Sequence, residues 1–221
     1  MTFMLPILCI VGASNSGKTT HLEKLIPALS RRGYRIGTVK HDVHGFEMDR
    51  EGKDTWRHRK AGAGTVAISS PSQVASIRQV DAEMGLDELV GRFFWNEDIL
   101  ITEGFKRSHF PKIEVFRKAI EPQPICRSED NRIALVTDDA VEVDVPVFRF
   151  DQVEPLADFI EARYLKDRKA HQVTVLLDGK KLPMKDFVRD FLVGGIIGML
   201  SSLRGWDDPG KLDIQIRLKE K

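Results

Sequence analysis

Apolar residues along this chain follow two alternating rhythms. Short β-branched runs predict strands at Leu8–Val11, Arg35–Val39, Thr65–Ile68, Val74–Val80, Ile99–Thr102, Lys112–Phe116, Ile133–Val136 and Val145–Phe148. Between them lie stretches whose apolar positions recur at helical spacing, as at Leu22, Leu25, Ile26 and Leu29. These predict helices at Lys18–Arg32, Asp54–Ala61, Leu86–Phe94 and Glu154–Tyr164. Such alternation implies an α/β fold with a largely parallel sheet flanked by helices. Pro27 inside the first helix removes one hydrogen bond and should bend it. Asp151, with Glu154 three residues on, has the spacing of a reciprocal cap for the last helix.

The charged run Lys166-Asp167-Arg168-Lys169 reads as a linker, after which the pattern restarts. Gln172–Leu177, a tight turn at Asp178-Gly179, a helix near Met184–Leu203 and the alternating Leu212, Ile214, Ile216 and Leu218 predict a small β-turn-β-α-β module. The predicted organisation is therefore 1–166 and 170–221, the second piece too small to be very stable alone.

Composition narrows the setting. The 221 residues are 42% hydrophobic and 30% charged, with a net charge of +1. That balance gives no electrostatic case for nucleic acid or an anionic membrane as partner. The most apolar run, Phe191 to Leu200, is too short to span a bilayer. Residues Met1 to Leu5 lack the basic and long apolar regions of a secretory leader. Cys9 and Cys126 form no metal-spaced pair, which fits a reducing cytoplasm.

The chemistry begins at Gly12-Ala13-Ser14-Asn15-Ser16-Gly17-Lys18-Thr19, followed by Thr20. This is a full G-x-x-x-x-G-K-T phosphate-binding loop between a predicted strand and a predicted helix, so the sheet is expected to be P-loop NTPase-like. Its backbone N–H groups and the helix N-terminus can grip an anion. Lys18 can reach the β- and γ-phosphates, and the Thr19 hydroxyl can ligate Mg²⁺. The expected ligand is a nucleoside triphosphate.

A magnesium site needs an acid at the carboxyl end of a second strand. Asp98-Ile99-Leu100-Ile101-Thr102-Glu103-Gly104 offers two. At about 3.3 Å per residue, Asp98 would stand roughly 15 Å from that edge, whereas Glu103 sits on it, able to act on the metal directly or through water. The polar connection from Lys40 to Asp54 reaches the same edge if the sheet is parallel. Lys40 can approach a phosphate, and Asp42, Asp49 or Asp54 can orient metal-bound water. Asp54 can equally cap the next helix. His41 and His44 can be metal ligands, proton donors or structural hydrogen-bonding groups.

Three blocks together resemble a known family: the phosphate loop, Lys40-His41…His44…Asp49…Gly52-Lys53-Asp54-Thr55…Ala61-Gly62-Ala63, and Thr102-Glu103-Gly104-Phe105-Lys106. They are similar to the molybdopterin-guanine dinucleotide biosynthesis adaptor family, MobB, over about residues 5 to 166. The resemblance implies a weakly hydrolysing GTP-binding protein with Mg²⁺ that assists a molybdopterin guanylyltransferase (MobA-type) and forms a homodimer. The tail from about Ala170 lies outside the minimal family pattern.

Guanine selection has no motif here; the nearest late strand end, Thr137-Asp138-Asp139, lacks the lysine of the usual guanine-reading sequence and also suits a simple turn. No arginine is placed by motif to neutralise transition-state charge, Arg57, Arg59 and Arg107 being the available cations, so turnover should be slow. Lys106-Arg107-Ser108-His109 can receive the phosphate of the molybdopterin cofactor, or be a solvated basic loop. Two other readings share the scaffold: a small-molecule kinase, which would need an arginine-rich lid, and a nickel-insertion GTPase, which would need a richer metal motif than His41 and His44.

Overall fold

Five consecutive apolar residues at Ile7–Val11 can all be buried only where a strand is covered on both faces, and the fold meets that requirement. The computed structural model describes residues 5–42, 45–94, 96–166, 175–177, 180–207, 212 and 214. In chain order these form β1 (Ile7–Val11), α1 (Lys18–Arg31), β2 (Ile36–Lys40), α2 (Asp54–Lys60), β3 (Thr65–Ser69) and β4 (Val74–Arg78). There follow α3 (Leu86–Phe93), β5 (Ile99–Glu103), β6 (Lys112–Val115), β7 (Arg132–Val136), β8 (Val147–Phe148) and α4 (Val153–Tyr164). The chain divides near residue 168 into two compact units.

In the larger unit, six strands form one parallel sheet in the order β2-β5-β1-β6-β7-β8. Side chains alternate between its faces. Leu8, Ile10, Ile99, Ile101, Ile113 and Val115 pack with Leu22, Leu25, Leu29, Leu156 and Ile160 of α1 and α4. Ile7, Cys9, Val11 and Leu100 pack on the other face with Leu86 and Cys126. Burying a side chain such as Leu25 or Leu29 completely contributes about 1.5–3 kcal/mol.

The cap predicted for α4 does not form. Gln152 holds the N-cap position with no side-chain cap bond, and Asp151 lies 3.7 Å from Arg149. Glu154 is drawn away to Arg31 (2.8 Å) and Arg32 (2.7 Å). Arg32 also holds Asp158 and Glu161, each at 2.7 Å, tying α1 to α4. Charge-assisted bonds to a guanidinium outcompete a neutral backbone donor, and these bonds hold the Glu154 and Glu161 carboxyls below the usual range. Asp54 is likewise the first residue of α2, not its cap; Lys53 takes that place.

Two predicted strands leave the main sheet. β3 and β4 pair antiparallel with each other, Thr65 opposite Arg78 and Ser69 opposite Val74, as a separate two-stranded sheet. Ile68 and Val74 on it are 61% and 73% exposed.

Buried charges pin the loops around β6. Glu114 accepts from the backbone N–H groups of Ile125 and Cys126 and from Arg132 at 2.9 Å. Lys112 donates to the carbonyls of Ser108, Phe110 and Asp130. Burial, reinforced by Glu114, pushes the Cys126 thiol up to about 12, so it stays protonated and unreactive.

The smaller unit contains β9 (Leu176–Leu177), antiparallel to β10 (Lys180–Lys181), and α5 (Asp186–Ser201). The predicted turn at Asp178-Gly179 and most of the predicted last strand lie outside the described residues. Among the described residues, no helix is long and apolar enough to cross a membrane.

His21 on α1 makes a pH prediction. It is 1% exposed, and neither ring nitrogen has a hydrogen-bond partner. Burial, with Lys24 adding to it, lowers its pKa from 6.5 to about 4. The unfolded chain therefore binds this proton first as pH falls. The neutral ring's contribution is complete above pH 6.5 and is lost on descending towards pH 4, at most about 3 kcal/mol. Urea midpoints measured between pH 7 and pH 4 should fall, and His21→Leu should flatten that part of the profile.

Candidate functional site: the glycine-rich loop and the Thr19–Glu103 pair

β1 ends in a turn that lies against the backbone of β6. At Gly12, φ is 145°, and a Cβ there would stand 2.2 Å from the Val115 carbonyl oxygen. Asn15 adopts φ 62°, and Gly17, at φ 98°, is the N-cap of α1. The first turn of α1 thus opens directly off the loop, with its N–H groups unsatisfied by the helix itself. Ser16 is buried and its Oγ has no hydrogen-bond partner. Ser14, Asn15, Thr19 and Thr20 are exposed, while Ala13 is partly buried.

Lys18 folds back over the loop. Its Nζ donates to the carbonyls of Gly12 (3.1 Å) and Ala13 (2.7 Å). Its pKa lies below the ordinary lysine value, first through burial and then through nearby Lys40, with Glu103 opposing.

Parallel register assembles the rest. Ile10 and Lys40 both stand opposite Glu103 on neighbouring strands. Glu103 therefore meets α1 at the loop, and Thr19 Oγ1 lies 2.9 and 3.0 Å from its two carboxylate oxygens. Asp98 sits at the other end of the sheet, where it accepts from the Arg35 backbone N–H at 2.8 Å. A hydroxyl and a carboxylate are hard oxygen donors that suit Mg²⁺, an ion that usually keeps several waters and binds phosphate as well. The donor set fits that metal. Among the described residues, no group of three or more His, Cys, Asp or Glu could hold a metal by itself.

Asp49 and His41, in the connection after β2, already have partners within the protein. Asp49 accepts from the Thr55 hydroxyl at 2.8 Å, and its second oxygen lies 3.9 Å from Arg59. His41 stacks on Phe105, with ring centres 4.4 Å apart, and its Nε2 lies 2.6 Å from Glu83. His44 lies outside the described residues. Lys106 and Arg107 are exposed in the turn following β5.

Arg117 escaped the sequence reading. Its Nε donates to the Ser16 carbonyl at 3.1 Å, and its guanidinium lies 4.0 Å from the Phe150 ring centre. Its position just past a predicted strand end was the available clue.

A parallel sheet with its first strand feeding a glycine-rich turn, a lysine and a helix defines an α/β protein of the P-loop NTPase-like kind. Within that class the comparisons are specific. The family model for "Molybdopterin guanine dinucleotide synthesis protein B" (MobB) matches residues 7–138. A molybdopterin-guanine dinucleotide biosynthesis adapter protein from Haemophilus influenzae is 35% identical over 162 residues, covering 73% of this chain and 90% of the relative. Its Escherichia coli counterpart is 37% identical over 161 residues, covering 71% and 92%. A crystal structure of molybdopterin-guanine biosynthesis protein B superimposes with a TM-score of 0.58 at 35% identity, covering 71% of this chain and 98% of that one. The chain belongs to the MobB family.

Gly12→Ala should cost about 2 kcal/mol or more in urea unfolding, because a backbone carbonyl blocks the new methyl group. Gly33→Ala, at φ 90° with nothing within 4 Å, should lose only the dihedral part, about 1–2 kcal/mol. Equal losses would show that the loop can move off β6 without penalty.

Proposed function

We propose that this chain is a GTP-binding adaptor in molybdenum cofactor biosynthesis that assists guanylyl transfer to molybdopterin. The observation that carries the reading is the Thr19–Glu103 contact beside the Lys18-closed loop, in a chain of this family. The loop residues Gly12 to Thr20 hold the phosphates, with Lys18 exchanging its carbonyl partners for phosphate oxygens. Lys40, opposite Glu103 in the register, adds a second cation. Mg²⁺, when bound by Thr19 and Glu103, supplies neutralisation of phosphate charge. Asp49 acts on this site by fixing the connection between β2 and α2 through Thr55 and Arg59.

Hydrolysis by the isolated chain is slow, and the protein works with a guanylyltransferase of the MobA type, as a homodimer, in the cytoplasm. The exposed pair Lys106 and Arg107, just beyond Glu103, takes the phosphate of molybdopterin where that cofactor meets this chain.

Calorimetric titration with GTP tests this. Lys18→Ala should weaken binding about 100-fold or more, close to 3 kcal/mol. Glu103→Gln should retain metal-free GTP binding and lose most of the gain that Mg²⁺ confers. Unchanged GTP affinity in Lys18→Ala would remove the basis of the reading.

A further inference from the structure

The side of the loop away from Glu103 carries a second constellation. β6 flanks β1 opposite to β5, and the strand order reverses between β1 and β6, where open α/β sheets form their ligand crevice. Three strand ends meet there. Arg117 follows β6, bonds the loop at Ser16 and stacks on Phe150, which follows β8. A Cβ on Gly17 would stand 3.6 Å from both Arg117 and Phe150, so the stack adjoins the start of α1. Asp138, following β7, accepts from the Phe150 backbone N–H at 3.3 Å, and the same oxygen lies 3.7 Å from Arg149 Nε. The Asp138 side chain is 47% exposed.

This inference rests on the nucleotide reading above. A triphosphate whose terminal end meets Thr19 and Glu103 must leave the loop on the far side, towards β6, β7 and β8. We propose that the Arg117–Phe150 stack and Asp138 form the nucleoside end of the site and select guanine. A guanidinium is planar and stacks on aromatic rings. One face of Arg117 covers Phe150, and its exposed side can carry a purine. Asp138 is an acceptor without a donor of its own. Guanine presents two adjacent donors, N1–H and N2–H, whereas adenine presents one donor beside the N1 lone pair. The carboxylate therefore favours the first and repels the second. The reading predicts that guanine preference arises at two strand ends with no sequence motif in common.

Calorimetry with GTP, ATP and inorganic tripolyphosphate, each with Mg²⁺, tests this on the full chain. Arg117→Lys keeps the charge and removes the planar group; it should weaken GTP about tenfold while tripolyphosphate stays within about twofold. Phe150→Leu should act in the same direction. Asp138→Asn should reduce the GTP-to-ATP affinity ratio about tenfold. Equal weakening of GTP and tripolyphosphate by Arg117→Lys would make Arg117 a support for the phosphate loop and overturn the proposal, as would an unchanged ratio in Asp138→Asn. A wild-type chain that binds neither tripolyphosphate nor nucleotide would instead defeat the nucleotide reading itself.

Discussion

The parallel ladder between β1 and β5 is the interaction on which the candidate site depends. It sets Ile10 beside Glu103 and lets the Gly104 N–H reach the Ile10 carbonyl at 2.9 Å. One strand therefore delivers the glycine-rich turn and the other delivers the carboxylate at the same height. A slip of one residue would send the Glu103 side chain to the opposite face, because side-chain direction in a strand has period two. Burial enforces the register: Leu8, Ile10, Ile99 and Ile101 share one face, and Cys9 and Leu100 share the other.

At the loop, cationic and polar groups are held by weakly competing partners. Lys18 is paired with neutral carbonyls, and the Ser16 hydroxyl has no partner. Partial burial and the neighbouring Lys40 disfavour the charge on Lys18, so a phosphate would relieve both costs. Thr19 and Glu103 likewise hold each other through oxygen atoms of the kind magnesium prefers. The chemistry is arranged around hydrogen bonds within the protein that an anion and its metal can replace.

The surrounding architecture separates rigidity from access. Arg32 clamps α1 to α4 through three carboxylates, keeping the helix that carries Lys18 and Thr19 fixed against the sheet. Glu114 and Lys112 bind the loops around β6 from inside. Thr19, Thr20, Lys40, Arg117 and Asp138, at the carboxyl edge, are exposed instead, where a ligand can reach them.

The sequence by itself determined the strand and helix order, the glycine-rich turn between β1 and α1 and the placement of Glu103, and not Asp98, at the sheet edge beside it, because each follows from local spacing and strand length. It also carried the family, through three short blocks. Tertiary structure alone decided that β3 and β4 form their own hairpin, since a short apolar run does not encode its partner strand. It decided that Glu154 binds Arg31 and Arg32 across two helices, where local spacing suggested a cap. Asp49 joined Thr55 and Arg59 for the same kind of reason. Arg117, 101 residues beyond Ser16, became part of the loop's surroundings only when β6 closed against β1. Local chemistry is written in neighbouring residues; which distant groups meet is fixed by packing, and the sequence does not spell out that packing residue by residue.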